Sequence, residues 1–240
     1  MRRDEYGDLS VYVGGGTDGE GGGDGPLVVL LHGFGAPGDD LVPLSGYLGA
    51  PAGTRFVFPA APLEMPGLFG DSRAWWMLDL EELDRAMASG EPRDLSAGEP
   101  EGMGEARVQV TAMLDEAQRK LGAAPERTVL GGFSQGSMLS CDLVLRTDRP
   151  FAGLILLSST LVCEAIWAPQ MPSRAGLPVF QSHGTHDALL PFAAAERLRD
   201  GLRAAGLEVE WHEFAGGHEI PPRILAGTGD FLQRVLSPCN

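Results

Sequence analysis

The feature that most constrains this chain is a recurring unit: a short, largely apolar run followed by a segment of helical periodicity. The runs fall at 26–31, 54–58, 127–130, 153–157 and 178–182. Continuous apolarity of this kind marks strands buried on both faces, as in parallel sheets. The intervening segments read as helices at 39–48, 103–121, 135–145 and 192–205, and a last one at 221–236 begins with two prolines suited to a first turn. In 103–121, Ala106, Val110, Met113, Leu114, Ala117 and Leu121 form one apolar stripe. Two further strands alternate with period two, at 9–13 and 207–214. Strands alternating with helices predict an α/β fold, a mostly parallel central sheet with helices on both faces.

Two stretches break the alternation. Residues 14–25 are nearly all Gly, Asp or Glu and read as a flexible loop. Residues 59–102 are rich in Pro, Gly and Met and carry Phe69, Trp75 and Trp76 without clean periodicity. So long a connection in a compact domain is functional or disordered, and its aromatic content favours an insertion over the active edge of the sheet. The 240 residues fit one domain, 1–240, since α/β domains reach about 200–250 residues.

Charge excludes some partners. The net charge of −15 repels phosphate backbones and anionic lipid, so neither nucleic-acid binding nor stable membrane association is expected. No apolar run is long enough to span a bilayer, and no apolar segment follows Arg2 and Arg3, so a cytoplasmic protein is expected. The three cysteines, Cys141, Cys163 and Cys239, lack motif spacing, and Cys141 reads as a small core residue. Nothing in the sequence sets the oligomeric state.

The chemistry centres on Gly132-Phe133-Ser134-Gln135-Gly136. A G-x-S-x-G turn between strand and helix exposes a serine hydroxyl at the C-terminal edge of a sheet. A plain strand-to-helix turn is the bland alternative, and the flanking apolar strand and helix make it the weaker one. Ser134 needs a base to become a nucleophile. His186, His212 and His218 lie within reach of loops; His212 sits mid-strand, where an imidazole facing solvent is the simpler reading. His218, after Gly216-Gly217 and between the last strand and last helix, stands where this fold delivers its base. The acid must follow a strand between the two, which selects Asp187; Asp142 and Asp148 lie on or just after the helix behind the nucleophile and face the wrong way. Two backbone N–H groups must await the oxyanion. Gln135 follows the nucleophile, and Phe34 lies in the His32-Gly33-Phe34-Gly35 loop after the strand at 26–31, with His32 ordering that loop. Phe69, Trp75 and Trp76 are candidates for an acyl pocket, although Trp75 and Trp76 suit packing of the insertion equally well. His183 and His186 beside Asp187 have no partner cluster for a metal. The acidic side chains of 79–84 and 91–105 read as a solvated face.

The order L-L-H-G-F-G, P-A-A-P, G-G-F-S-Q-G-S, H-G-x-x-D and G-G-H-E-I-P, running along nearly the whole chain from Pro26, resembles the phospholipase/carboxylesterase family of α/β-hydrolases, which includes acyl-protein thioesterases. The resemblance implies Ser134 as nucleophile, Asp187 as acid, His218 as base and the N–H groups of Phe34 and Gln135 as oxyanion hole. It also implies no cofactor, and small-molecule carboxylic esters, lysophospholipids or acyl thioesters as substrates. A serine carboxylesterase for short- to medium-chain esters is the leading expectation, ahead of a thioesterase or lysophospholipase and of a silent binding module on the same fold.

Overall fold

In the computed structural model, which describes residues 1–65, 70–79, 81 and 95–237, one large sheet runs through the molecule. Its strands are β1 (Arg2–Tyr6), β2 (Leu9–Gly16), β3 (Glu20–Gly22), β4 (Leu27–Leu31), β5 (Arg55–Pro59), β8 (Thr128–Phe133), β9 (Gly153–Leu157), β10 (Pro178–Gly184) and β11 (Glu208–Phe214), while β6 (Leu63–Glu64) and β7 (Arg73–Ala74) form a separate ribbon. The spatial order is β1-β2-β5-β4-β8-β9-β10-β11, with β3 attached to β2. From β5 to β11 every neighbour is parallel, whereas β1 and β2 run antiparallel.

The apolar runs are buried on both faces, as their composition requires. Along β4, Leu27, Val29 and Leu31 enter one core and Val28 and Leu30 the other. The first core takes in α1 (Met103–Leu121), α2 (Gln135–Arg146) and α4 (Phe192–Ala204), and the second takes in α5 (Pro222–Leu236). α3 (Glu164–Trp167) is a single turn that adds the buried Trp167 to the first core. Each fully buried Leu or Val contributes about 1.5–3 kcal/mol, so the two cores fix which way every strand faces. None of the described helices is long and apolar enough to cross a membrane.

Three expectations need correction. The segment 39–48 is not an α-helix: only a 3-10 turn, Val42–Gly46, forms there, because Pro43 lacks a donor and Gly46 and Gly49 resist propagation. Residues 14–25 are not simply a loop. β2 continues to Gly16 and pairs β3, and the Asp18 carboxylate accepts the N–H groups of Glu20 and Gly22 at 2.8 and 2.9 Å. Gly16 is there for close approach, since a Cβ would stand 2.2 Å from the Gly22 carbonyl oxygen. The third concerns β1, which the expected strands omitted. Four of its five residues, Arg2 to Glu5, are charged and give no apolar signal; the strand lies at the edge of the sheet, where exposed and half-buried side chains alternate down to the buried Tyr6.

Candidate active site

Ser134 occupies the joint between β8 and α2. Its backbone is at φ 53°, ψ −119°, a conformation few side-chain-bearing residues adopt. The turn survives because its surroundings hold it. The Ser134 N–H donates to Leu157 in β9 at 2.9 Å, and its carbonyl accepts from Ser137 and Met138 at the start of α2. The glycine two residues on is sterically required: a Cβ on Gly136 would stand 2.2 Å from the Leu31 carbonyl oxygen and 2.5 Å from that of His32. The spacing of the motif thus brings the helix start against the end of β4, with the His32-Gly33-Phe34 loop beside Ser134.

Asp187 and His218 follow neighbouring parallel strands, β10 and β11, whose register pairs Gly184 with Phe214. The His218 Nδ1–H donates to Asp187 Oδ2 at 2.7 Å, leaving Nε2 as the basic nitrogen of the ring. Asp187 Oδ1 accepts the N–H groups of Leu189 and Leu190, both at 2.9 Å. The side chain is fully buried, which opposes its charge, yet His218 and the Leu190 N–H outweigh that burial and hold the carboxyl below the usual range. Phe133 packs against the His218 ring at 4.7 Å. His183, weighed above only as a metal ligand, touches the same carboxylate. Its Nε2–H lies 2.9 Å from the Leu190 carbonyl and 3.4 Å from Asp187 Oδ2, and burial pushes its pKa down so that the ring is neutral.

The loop after β4 is ordered through His32. Its Nε2 accepts the Ala61 N–H at 3.0 Å, so Nδ1 carries the proton and donates to the Gly33 carbonyl at 2.8 Å. Burial lowers this histidine to about 4, keeping it neutral. Gly35 N–H donates to Arg73 and Ala36 N–H to Gly33, while the Phe34 N–H has no carbonyl acceptor among the described residues. Gln135 N–H, the first of α2, has no intrahelical acceptor either.

These groups surround one cavity of about 470 Å³, lined by Ser134, Gln135, His218, Phe133, Gly33 and Phe34 on the sheet side and by Trp76 to Asp79, Leu95 and 97–101 opposite. Trp76 lines it; Trp75 does not. The Trp75 ring lies in the core against His32, with its indole N–H donating to the His32 carbonyl at 2.9 Å, which removes Trp75 from the pocket candidates. Phe69 lies outside the described residues. The acidic stretches are not wholly a solvated face. Glu99 bonds Arg107 and Arg146 at 3.2 and 2.8 Å, and although burial opposes its charge, these arginines hold it low. Arg107 also reaches the fully buried Asp142 at 2.5 Å, which accepts the Trp167 indole N–H as well, so Asp142 does face away from Ser134. His212, expected to face solvent, is half-buried, stacked on Phe180 at 4.6 Å and bonded to Glu210. Only the spacing between Arg107, Asp142 and Arg146 on their helices hinted at this cluster, and their meeting depends on how α1 packs on α2.

Residues 22–236 match the phospholipase/carboxylesterase family. The chain belongs to that family. Acyl-protein thioesterase 1 of Eremothecium gossypii is 31% identical over 87% of this chain and 87% of its own length. The carboxylesterase SOBER1 of Arabidopsis thaliana is 27% identical over 88% of this chain and 90% of its own. Among solved structures, esterase PE8 superposes with a TM-score of 0.77 at 28% identity, covering 95% of this chain and 99% of that one. The carboxylesterase of Mesorhizobium loti, at 20% identity and a TM-score of 0.74 over 97% and 99%, shares the fold. The fold is therefore the α/β-hydrolase fold, and this phospholipase/carboxylesterase member is a carboxylic ester hydrolase.

Proposed function

We propose that the protein is a serine carboxylesterase acting on short- to medium-chain esters through an acyl-enzyme. The observation that carries this is the 2.7 Å bond between Asp187 and His218 beside a cavity bordered by both Ser134 and His218. Ser134 Oγ attacks the ester carbonyl carbon while His218 Nε2 takes its proton, and the charge developing on the carbonyl oxygen is met by the N–H groups of Phe34 and Gln135. The tetrahedral intermediate collapses, the C–O bond to the leaving group breaks, and His218 passes its proton to the departing alkoxide. Water, deprotonated by His218, then attacks the acyl-Ser134 carbonyl, and the proton returns to Ser134 Oγ as the acid leaves. Asp187 stays ionised throughout, orienting the imidazole and stabilising its charged form. No step calls for a metal or cofactor.

Substrate size follows from the cavity. About 470 Å³ lies toward the lower end of the ~300–1,000 Å³ of small-molecule sites, and Trp76, Leu78, Leu95, Met138, Val162 and Leu190 give it an apolar wall for an acyl chain. Asp40, Asp79, Glu99 and Glu101 also border it, with no Lys or Arg among the described lining residues, which disfavours an anionic head group. A second reading, an acyl thioesterase with the same residues in the same roles, is favoured by the E. gossypii relative.

The deciding experiment measures hydrolysis of p-nitrophenyl esters from two to sixteen carbons, a span of roughly the acyl groups such a pocket could take, with matched thioesters and with Ser134→Ala beside the wild type. The expected outcome is a maximum at about eight carbons or fewer, lost by about 10⁴-fold or more in the variant with the melting temperature retained. A long-chain maximum, or thioesters preferred over matched oxoesters, overturns the small-ester reading for the thioesterase or lysophospholipase. Equal rates in the wild type and Ser134→Ala overturn Ser134 as nucleophile.

A further inference from the structure

The side chain of Gln135 has no part in the mechanism above, which uses only its main-chain N–H, yet the residue is 2% exposed and its carboxamide is bonded at both ends. Its Oε1 accepts the Trp75 N–H at 2.9 Å and its Nε2 donates to the Trp76 carbonyl at 2.8 Å. One carboxamide thus grips the edge of the segment carrying Trp76. The same segment grips the loop that bears Phe34. Arg73 accepts from Gly35 N–H at 2.9 Å and donates to Ala36 at 3.0 Å, the Trp75 indole donates to His32 at 2.9 Å, and Ser72 bridges Pro37. Residues 72–76 are therefore bonded to the Phe34 loop on one side and, through Gln135, to the nucleophile turn on the other.

We propose that the Gln135 side chain is a positioning residue for the reaction: through residues 72–76 it holds the Phe34 N–H and its own N–H in register and sets Trp76 against the cavity. This rests on the reading of Ser134 and the two N–H donors given above. The direct contact of Gly136 with the carbonyls of Leu31 and His32 sets how near the loop can come to the helix start, but steric contact limits approach without fixing lateral register. Hydrogen bonds are directional and fix it. An amide suits the position because it presents both an N–H donor and a carbonyl acceptor, matching the C=O of Trp76 and the N–H of Trp75. A carboxylate keeps only the acceptor, and a thioether of similar length keeps neither.

Displacing an oxyanion donor should cost less than deleting it, which is worth about 10²–10³-fold in turnover, so Gln135→Met is expected to lower kcat by about 10- to 100-fold with KM within about twofold. Affinity for an aryl trifluoromethyl ketone, which forms a tetrahedral adduct on the serine, should fall in parallel with kcat/KM. In Gln135→Glu, a protonated carboxyl again offers a donor and an acceptor, so its kcat relative to wild type at the same pH should rise as pH falls. A folded Gln135→Met with wild-type kcat, or a loss confined to KM, overturns the proposal. Should Gln135→Met fail to fold, the Gln135→Glu ratio decides: a ratio flat with pH overturns it and a rising one sustains it. Hydrolysis persisting in Ser134→Ala overturns instead the underlying reading of the nucleophile.

Discussion

On one side of the cavity, Ser134, Asp187 and His218 sit at or just beyond the C-terminal ends of β8, β10 and β11, three strands of a continuous parallel array. On the other, Trp76 to Asp79, Leu95 and residues 97–101 belong to a crossing whose regular strands, among the described residues, are the two-residue ladder of β6 and β7. The difference teaches where precision comes from. Strand ends inherit their positions from ladder bonds and two cores, so a strained Ser134 and a buried Asp187 can be held. The crossing has only the short β6–β7 ladder among the described residues; beyond the burial of Trp75 and Trp76 in the first core, single side chains anchor it, with Gln135, His32 and Arg73 supplying the bonds. The residues proposed for the chemistry therefore sit on the sheet edge, and the crossing supplies the facing wall of the pocket.

The sharpest break of this contrast is Asp187→Asn. An amide there presents the wrong partner to His218 Nδ1 and favours the wrong tautomer, so kcat should fall by about 10³–10⁴-fold, or about 4–5.5 kcal/mol, with KM little changed. Steady-state kinetics on a short ester checks it, and a loss below tenfold would remove Asp187 from the sheet-edge machinery.

A smaller effect tests the borrowed support. His32 has a folded pKa of about 4 against an ordinary 6.5, so as pH falls through that window the unfolded chain takes up a proton that the folded chain refuses. Stability is full above about 6.5 and is lost progressively down to about 4, by up to about 3 kcal/mol. His183 is lowered in the same direction and adds to the slope. Urea titrations across this range should show His32→Gln with a visibly flatter dependence than the wild type; equal slopes would mean that His32 does not carry the loss. The smallest effect is at Trp76→Ala, which should shift chain-length preference towards longer acyl groups by several-fold while changing the rate on acetyl esters by about 1 kcal/mol or less. An unchanged preference would take Trp76 out of the pocket wall.

How much of this was legible depended on the range of the interaction. Helices α1, α2, α4 and α5 and the parallel strands could be read to within a few residues, because burial on one or two faces writes itself into local periodicity. Sequence 39–48 misled because its apolar residues suit a helix while Pro43 and two glycines decide against one. The glycine-rich stretch 14–25 misled because glycines needed for close approach look the same as glycines in a flexible linker. Trp75 and Trp76 are adjacent, alike and both buried in the first core, yet only Trp76 also lines the cavity, a difference set by the loop after β4, which takes the Trp75 indole, and by the Gln135 amide.

By itself the sequence determined the alternating architecture and the order of Ser134, Asp187 and His218, because periodicity and turn chemistry act over a few residues. Tertiary structure alone decided what those residues touch. The buried pairing of Asp142 with Arg107 and the grip of Gln135 on residues 75–76 join positions distant along the chain, and their distances are set by how strands and helices pack rather than by any local pattern.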